Sequence, residues 1–139
     1  MPETTTTNVS NDVTRIVELN ETLTGAYSVT HADSGKTFYL NAANGAAITM
    51  PALKAGAFYK FVVAAAFDTA DWVVTPSDAG KLEGSLVVAG SAVTVAAGNS
   101  FTFELGAENV GDFVEVTCDG STWFVNGVGL TSGSITIQS

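Results

Sequence analysis

The chain has 139 residues, 46% of them hydrophobic and only 14% charged, with a formal net charge of −9. That length fits one domain with a core of its own, and the low charge share excludes a disordered protein. Five basic residues, Arg15, Lys36, Lys54, Lys60 and Lys81, stand singly among fourteen acidic ones, which excludes nucleic acid as a partner because phosphate binding needs clustered cations.

Met1 to Asp12 hold a Thr run and several Asn and Ser residues without apolar periodicity. They are expected to form a flexible arm that can order on a partner surface, and they lack the apolar centre of a signal peptide. Residues 13–139 are expected to form one β domain. Val13, Arg15, Val17 and Leu19 alternate with Thr14, Ile16 and Glu18, which predicts a first strand. Gly25 to Thr30 predicts a second, and the Ser34-Gly35 turn leads to a third over Lys36 to Leu40. Asn44-Gly45 turns into Ala46 to Met50, which Pro51 stops. Ala52 to Gly56 reads as a loop or a single helical turn.

Phe58 to Ala66 is the most apolar candidate, a central strand expected to be buried on both faces. It lies within the longest apolar stretch, Phe58 to Phe67, which Lys60 interrupts well short of the ~18 residues of a membrane span. Trp72 to Thr75, Leu82 to Ala89, Ala92 to Ala96 and Ser100 to Leu105 follow as strands between Gly, Pro, Asp and Ser turns. Phe113 to Cys118, the Asp119-Gly120 turn and Thr122 to Asn126 form the clearest hairpin. Ser134 to Gln138 closes the chain. About ten short strands at this spacing predict a β-sandwich or β-barrel.

Sites for chemistry are sparse. His31 is the sole histidine and Cys118 the sole cysteine, so no intrachain disulfide forms and no structural zinc site can be built from them. Asp33, Asp68, Asp71 and Asp78 fall at turns, where Asp commonly bonds the local backbone; calcium is the weaker alternative. Glu104, Glu108, Asp112 and Glu115 gather around one loop. Carboxylate pairs serve glycosidases, yet these lie around one loop and hairpin with no cleft to infer, and a solvated rim is the preferred reading. Trp72, Trp123, Phe124 and Tyr59 are either core or a platform for sugars. Alternation sends Trp123 and Phe124 to opposite faces. No cofactor is implied.

The hairpin carries a resemblance. Val110-Gly111-Asp112-Phe113-Val114-Glu115-Val116, then Asp119-Gly120-Ser121-Thr122-Trp123-Phe124-Val125, resembles a recurring pattern of tailed-bacteriophage virion surface proteins. Ser34-Gly35-Lys36-Thr37-Phe38, Pro51, the strand from Gly56 and Trp72-Val73-Val74 are similar to the same proteins, so the resemblance spans Ser34 to Gly127. It implies a non-enzymatic capsid decoration (cement) protein, made in the host cytoplasm and bound to the exterior of the virion. A chain beginning at Met1 without an attachment module suits a stand-alone decoration protein. The implied partners are the major capsid protein and further copies of the chain, as a homotrimer at three-fold or quasi-three-fold positions. No membrane partner is expected. The expected capsid contact is the arm and first strand, through Thr4, Thr5, Thr6, Thr7, Val9, Val13, Arg15, Val17 and Leu19, added to a subunit's edge by β-augmentation. The alternatives are a glycan- or receptor-binding domain of a tail or head fibre and, third, a hydrolase using the acidic group.

Overall fold

The structure, a computed structural model, describes residues 19–139. The expected arm, and the first strand up to Glu18, lie outside the described residues. Twelve strands form two layers: β1 Asn20–Leu23, β2 Tyr27–Ser28, β3 Thr37–Leu40, β4 Ala46–Met50, β5 Phe58–Val63 and β6 Trp72–Pro76, followed by β7 Leu82–Val88, β8 Ser91–Gly98, β9 Ser100–Phe103, β10 Phe113–Cys118, β11 Trp123–Gly129 and β12 Ile135–Gln138. The large sheet runs β1-β3-β5-β10-β11-β7-β8 and the small one β12-β9-β6-β4-β2. The fold is all-β and sandwich-like, as the turn spacing predicts.

From β1 to β6 the chain steps from one sheet to the other at every strand. Neighbours in this half are therefore parallel: β1 with β3, β3 with β5, β2 with β4 and β4 with β6. A parallel neighbour needs a crossover, and here the crossover is a strand of the opposite layer. The later half is joined by hairpins. Ala89-Gly90 links β7 to β8, and Asp119-Gly120 links β10 to β11 where the turn dipeptide predicts it.

Alternation delivers the core. In the large sheet Phe38, Phe61 and Val114 lie in one cross-strand row, with Leu86 and Val93 beyond Gly127. In the small sheet Tyr27, Ile48, Val74, Phe101 and Ile137 lie in another, beside Ala46, Trp72, Phe103 and Ile135. The layers meet through aromatic contacts, Phe61 lying edge-on to Phe101 at 5.8 Å between centroids and Tyr27 tilted against Phe38 at 5.5 Å, while Phe38 stacks on Phe61 within the large sheet at 5.4 Å. Each large side chain fully buried this way contributes about 1.5–3 kcal/mol.

Two glycines are fixed by crowding. A Cβ on Gly127 would run into the Phe113 carbonyl, and one on Gly84, at φ +137°, into the Val125 carbonyl. Gly84 also sits at the register shift between β7 and β8, where a bulge admits the close approach.

Several expectations need correction. β5 ends at Val63, and only Tyr59, Phe61 and Val63 are buried. Phe58, Lys60 and Val62 are half-exposed, because among the described residues the outer face of the large sheet meets cross-strand neighbours but no third layer. β11 runs on to Gly129, past the predicted Asn126. β1 has no predictive apolar alternation and exists through its pairing with β3. Leu19 stands one residue ahead of it, its carbonyl accepting the Thr37 N–H at 2.8 Å.

One carboxylate ties the first turn of this architecture together. Asp33 lies in the 3-10 turn His31–Asp33 and is buried. Its Oδ2 accepts the Thr30 N–H at 2.9 Å and the Tyr27 hydroxyl at 3.1 Å. Its Oδ1 lies 3.1 Å from Lys36 Nζ, which also reaches Glu21 of β1 at 3.1 Å. Burial works to raise the Asp33 carboxyl, but the Thr30 N–H, the Lys36 ammonium and the Tyr27 hydroxyl outweigh it and hold its pKa below the usual Asp value.

Because the folded pKa of Asp33 lies below the unfolded one, its contribution is present at neutral pH and is lost as pH falls through the folded value. Asp33→Asn should cost about 1–3 kcal/mol at neutral pH in urea unfolding. The gap to the unaltered protein should narrow below about pH 4. Gly84→Ala should cost about 2–4 kcal/mol, adding backbone strain to overpacking, and should appear as a marked drop in Tm. A Tm within a degree or two of the parent would refute the crowding argument.

Candidate functional site

The outer face of the large sheet is the surface with the clearest pattern. Strand registers place Tyr39, Val62, Phe113, Val128, Val87 and Ala92 side by side, one from each strand from β3 to β8. This is an apolar row across the sheet. The next row, Thr37, Lys60, Glu115, Asn126, Ser85 and Thr94, is polar throughout. Lys60 faces Glu115 across β5 and β10 and sits 4.6 Å above the Phe113 ring, so the boundary between the rows is a cation–π contact.

Two exposed apolar loop residues lie in the chain next to the strand ends that carry Phe113 and Val128. Val110, just before β10, is 64% exposed, and Leu130, just after β11, is 67% exposed. Asp112 holds their loops together, its Oδ1 accepting the Leu130 N–H and its Oδ2 the Asn109 N–H. A contiguous apolar row, half-exposed at Tyr39, Val62 and Phe113 and exposed at Val87 and Val128, marks an interaction surface more often than scattered single residues do. Pattern reading missed it because the row exists only once the register is known. Val128 also lay beyond the predicted end of its strand.

A second feature is an open groove of about 520 Å³ between β8 and β12, where the two layers come together at one side. Val88, Val93, Ile135 and Ile137 supply its apolar lining, with Ser91 and Thr136 at the rim. Among the described residues, neither β8 nor β12 has a strand on its outer edge.

The carboxylates singled out in the sequence act as loop organisers. Glu108 accepts the N–H groups of Phe67 and Gly106, Asp71 that of Leu105, and Asp78 that of Leu53. Glu104 bonds the Thr136 hydroxyl, whereas Glu115 lies on the outer face opposite Lys60. The four residues of the acidic group thus have four different sets of partners. Among the described residues no three His, Cys, Asp or Glu side chains gather to hold a metal ion. No helix among them is long and apolar enough to cross a membrane. His31 donates from Nε2 to the Ala52 carbonyl at 2.8 Å, while Cys118 is buried and accepts the Gly120 N–H at 3.3 Å.

The aromatic residues divide cleanly. Trp72, Trp123 and Tyr59 are buried, with Tyr59 5.9 Å from Trp123 and its hydroxyl donating to the Thr30 carbonyl. Burial raises the pKa of the Tyr59 phenol. Phe124, on the opposite face from Trp123, is 45% exposed. Neither tryptophan offers a ring to a sugar.

Of the residues expected to touch a capsid, Thr4, Thr5, Thr6, Thr7, Val9, Val13, Arg15 and Val17 lie outside the described residues. Leu19 is described, and is 56% exposed at the large sheet's β1 edge. Set against protein family models, curated proteins and solved structures, the chain finds no match.

With both indole rings buried, acrylamide should quench the native fluorescence far less than that of the urea-unfolded chain. Added monosaccharides and glycans should leave the emission unchanged. A saturable sugar-dependent quench would contradict this assignment of the tryptophans to the core.

Proposed function

We propose that the protein is a non-enzymatic capsid decoration protein that binds the outer surface of an icosahedral phage head and bridges neighbouring capsid subunits. The observation that carries the proposal is the apolar row Tyr39, Val62, Phe113, Val128 and Val87 with the exposed loop residues Val110 and Leu130 next to its strand ends. Such a strip on an acidic chain supports burial against another protein, because covering it removes apolar area from water, with Lys60 over Phe113 the charge at its margin. The polar row alongside supplies a rim. The low charge share of the chain is consistent with a surface partly covered by neighbours.

In this reading the major capsid protein is the principal partner. Further copies of the chain gather as trimers at three-fold or quasi-three-fold positions. The arm before β1 adds to the edge of a capsid strand through main-chain hydrogen bonds. Each site contributes modest affinity, and many bridges act together against internal pressure.

The test is co-sedimentation of the purified protein with expanded heads that lack it, followed by cryo-EM of the pellet. Saturable binding with density at three-fold positions is the expected result. The double substitution Val87→Asp with Val128→Asp should weaken head binding more than tenfold while leaving the fold intact by circular dichroism. Deleting residues 2–12 should weaken it too, and undiminished binding would remove the arm from the contact. Density on a tail or fibre instead of the head would overturn the proposal and favour receptor binding.

A further inference from the structure

The groove between β8 and β12 is bordered by the longest edge strand of the fold. Among the described residues β1 with four residues, β2 with two, β12 with four and β8 with eight stand at sheet edges. Edges that stay single are kept short or carry charges, Lys above all, or Pro. β1 follows that rule, with Glu21 held by Lys36. β8, running from Ser91 to Gly98, has no charged residue and no proline. It is regular up to Val95, beyond which the register shifts opposite Leu82 and Gly84.

Charge singles out the same place. No Asp, Glu, Lys or Arg falls in residues 84–103 or 120–139, and these two stretches supply every residue that lines the groove. Glu104 bonds the hydroxyl of Thr136, but strand alternation turns that side chain away from the face of Ile135 and Ile137. On a chain of net charge −9, a second copy meets no like-charged side chain along this edge.

The β7–β8 hairpin decides which backbone groups of β8 are free. Its loop residues Ala89 and Gly90 have φ of 51° and 77°, the signature of a two-residue type I′ turn. Such a turn is closed by hydrogen bonds between the flanking pair, here Val88 and Ser91, and bonded pairs then alternate along the ladder. Ser91, Val93 and Val95 therefore bond β7, while the N–H and C=O groups of Ala92 and Thr94 point off the sheet. Val93 turns its side chain inward, lining the groove with Ile135 and Ile137.

The occupant this edge calls for is a short uncharged strand that alternates and turns an apolar side inward. β8 itself has that pattern. We infer that β8 pairs antiparallel with β8 of a second copy, about a two-fold axis at Val93. In this register Ala92 of each copy exchanges main-chain hydrogen bonds with Thr94 of the other. Val93 meets its own counterpart in the closely spaced, non-hydrogen-bonded position, with Cα atoms about 4.5 Å apart. The free backbone groups of Ala92 and Thr94 are then satisfied in both copies, and the second copy's Val93 adds to the apolar side of the groove. The contact is isologous and closes at two copies. Its axis stands perpendicular to the sheet, so the outer faces of both copies, with their apolar rows, point the same way. The inference rests on this edge and not on the capsid reading, under which it joins copies of neighbouring trimers.

The test is sedimentation equilibrium of the full chain over a wide range of concentration, where a reversible dimer is expected. Thr94→Pro removes an outward N–H, and should weaken the dimer about tenfold or more while leaving the circular dichroism unchanged. Val93→Cys gives an independent readout, since thiols facing each other across the axis lie within disulfide reach. Under a mild oxidant it should yield a covalent dimer, with the link mapped to residue 93 of both copies by mass spectrometry. Ser91→Cys, on the same edge but displaced from the axis, should link about tenfold less, and the parent, whose Cys118 is buried, should not link. A chain that stays monomeric, a dimer indifferent to Thr94→Pro, or equal linking by the two cysteine variants would overturn the inference.

Discussion

The alternation of β1 to β6 between two layers is the constraint on which the remaining structure depends. It brings Phe38 and Phe61, from parallel neighbours in the large sheet, onto the Phe101 and Trp72 side of the small one. It also means that the β1 to β6 part of neither layer can form first and wait for the other, because each connection from β1 to β6 crosses between them. Contacts of this kind are distant in sequence, and a chain rich in them pays loop-closure entropy before packing rewards it. The local β7–β8 and β10–β11 hairpins, by contrast, close over a few residues and supply edges on which the crossing strands can pair.

Polar groups follow the same logic. The crossing loops carry backbone N–H groups that no ladder satisfies, and carboxylates satisfy them: Asp33 for Thr30, Asp71 for Leu105, Glu108 for Phe67 and Asp112 for Leu130. Hydrogen bonds to a charged acceptor are stronger than neutral ones, so a short side chain can fix a long connection. The acidic balance of the chain is in this sense partly architectural. Asp119 does the same within its hairpin turn, where the N–H and hydroxyl of Ser121 and the N–H of Thr122 hold its pKa below the usual Asp value.

The two unfilled surfaces have different characters. The apolar row is a face, with side chains already aligned by register and no backbone group to satisfy. The groove is bordered by edges, so an occupant there must bring main-chain hydrogen bonds as well as apolar side chains. A face suits a broad, shape-matched partner, while an edge suits an extended segment.

The sequence by itself determined the all-β class, most strand positions, the Asp119-Gly120 hairpin and the opposite facing of Trp123 and Phe124. These are local matters: a period of two, a turn dipeptide, a Pro that stops a strand. It left β1 unmarked, since Asn20 to Leu23 has no apolar alternation and is a strand only because β3 offers it a partner. Sequence also gathered Glu104, Glu108, Asp112 and Glu115 into one acidic group, which folding dispersed among separate partners. The parallel pairings, the apolar row and the groove were settled by tertiary structure alone. Each depends on which strand lies beside which and in what register, and that is fixed by burying side chains from distant segments against one another rather than by any preference a short window of sequence contains.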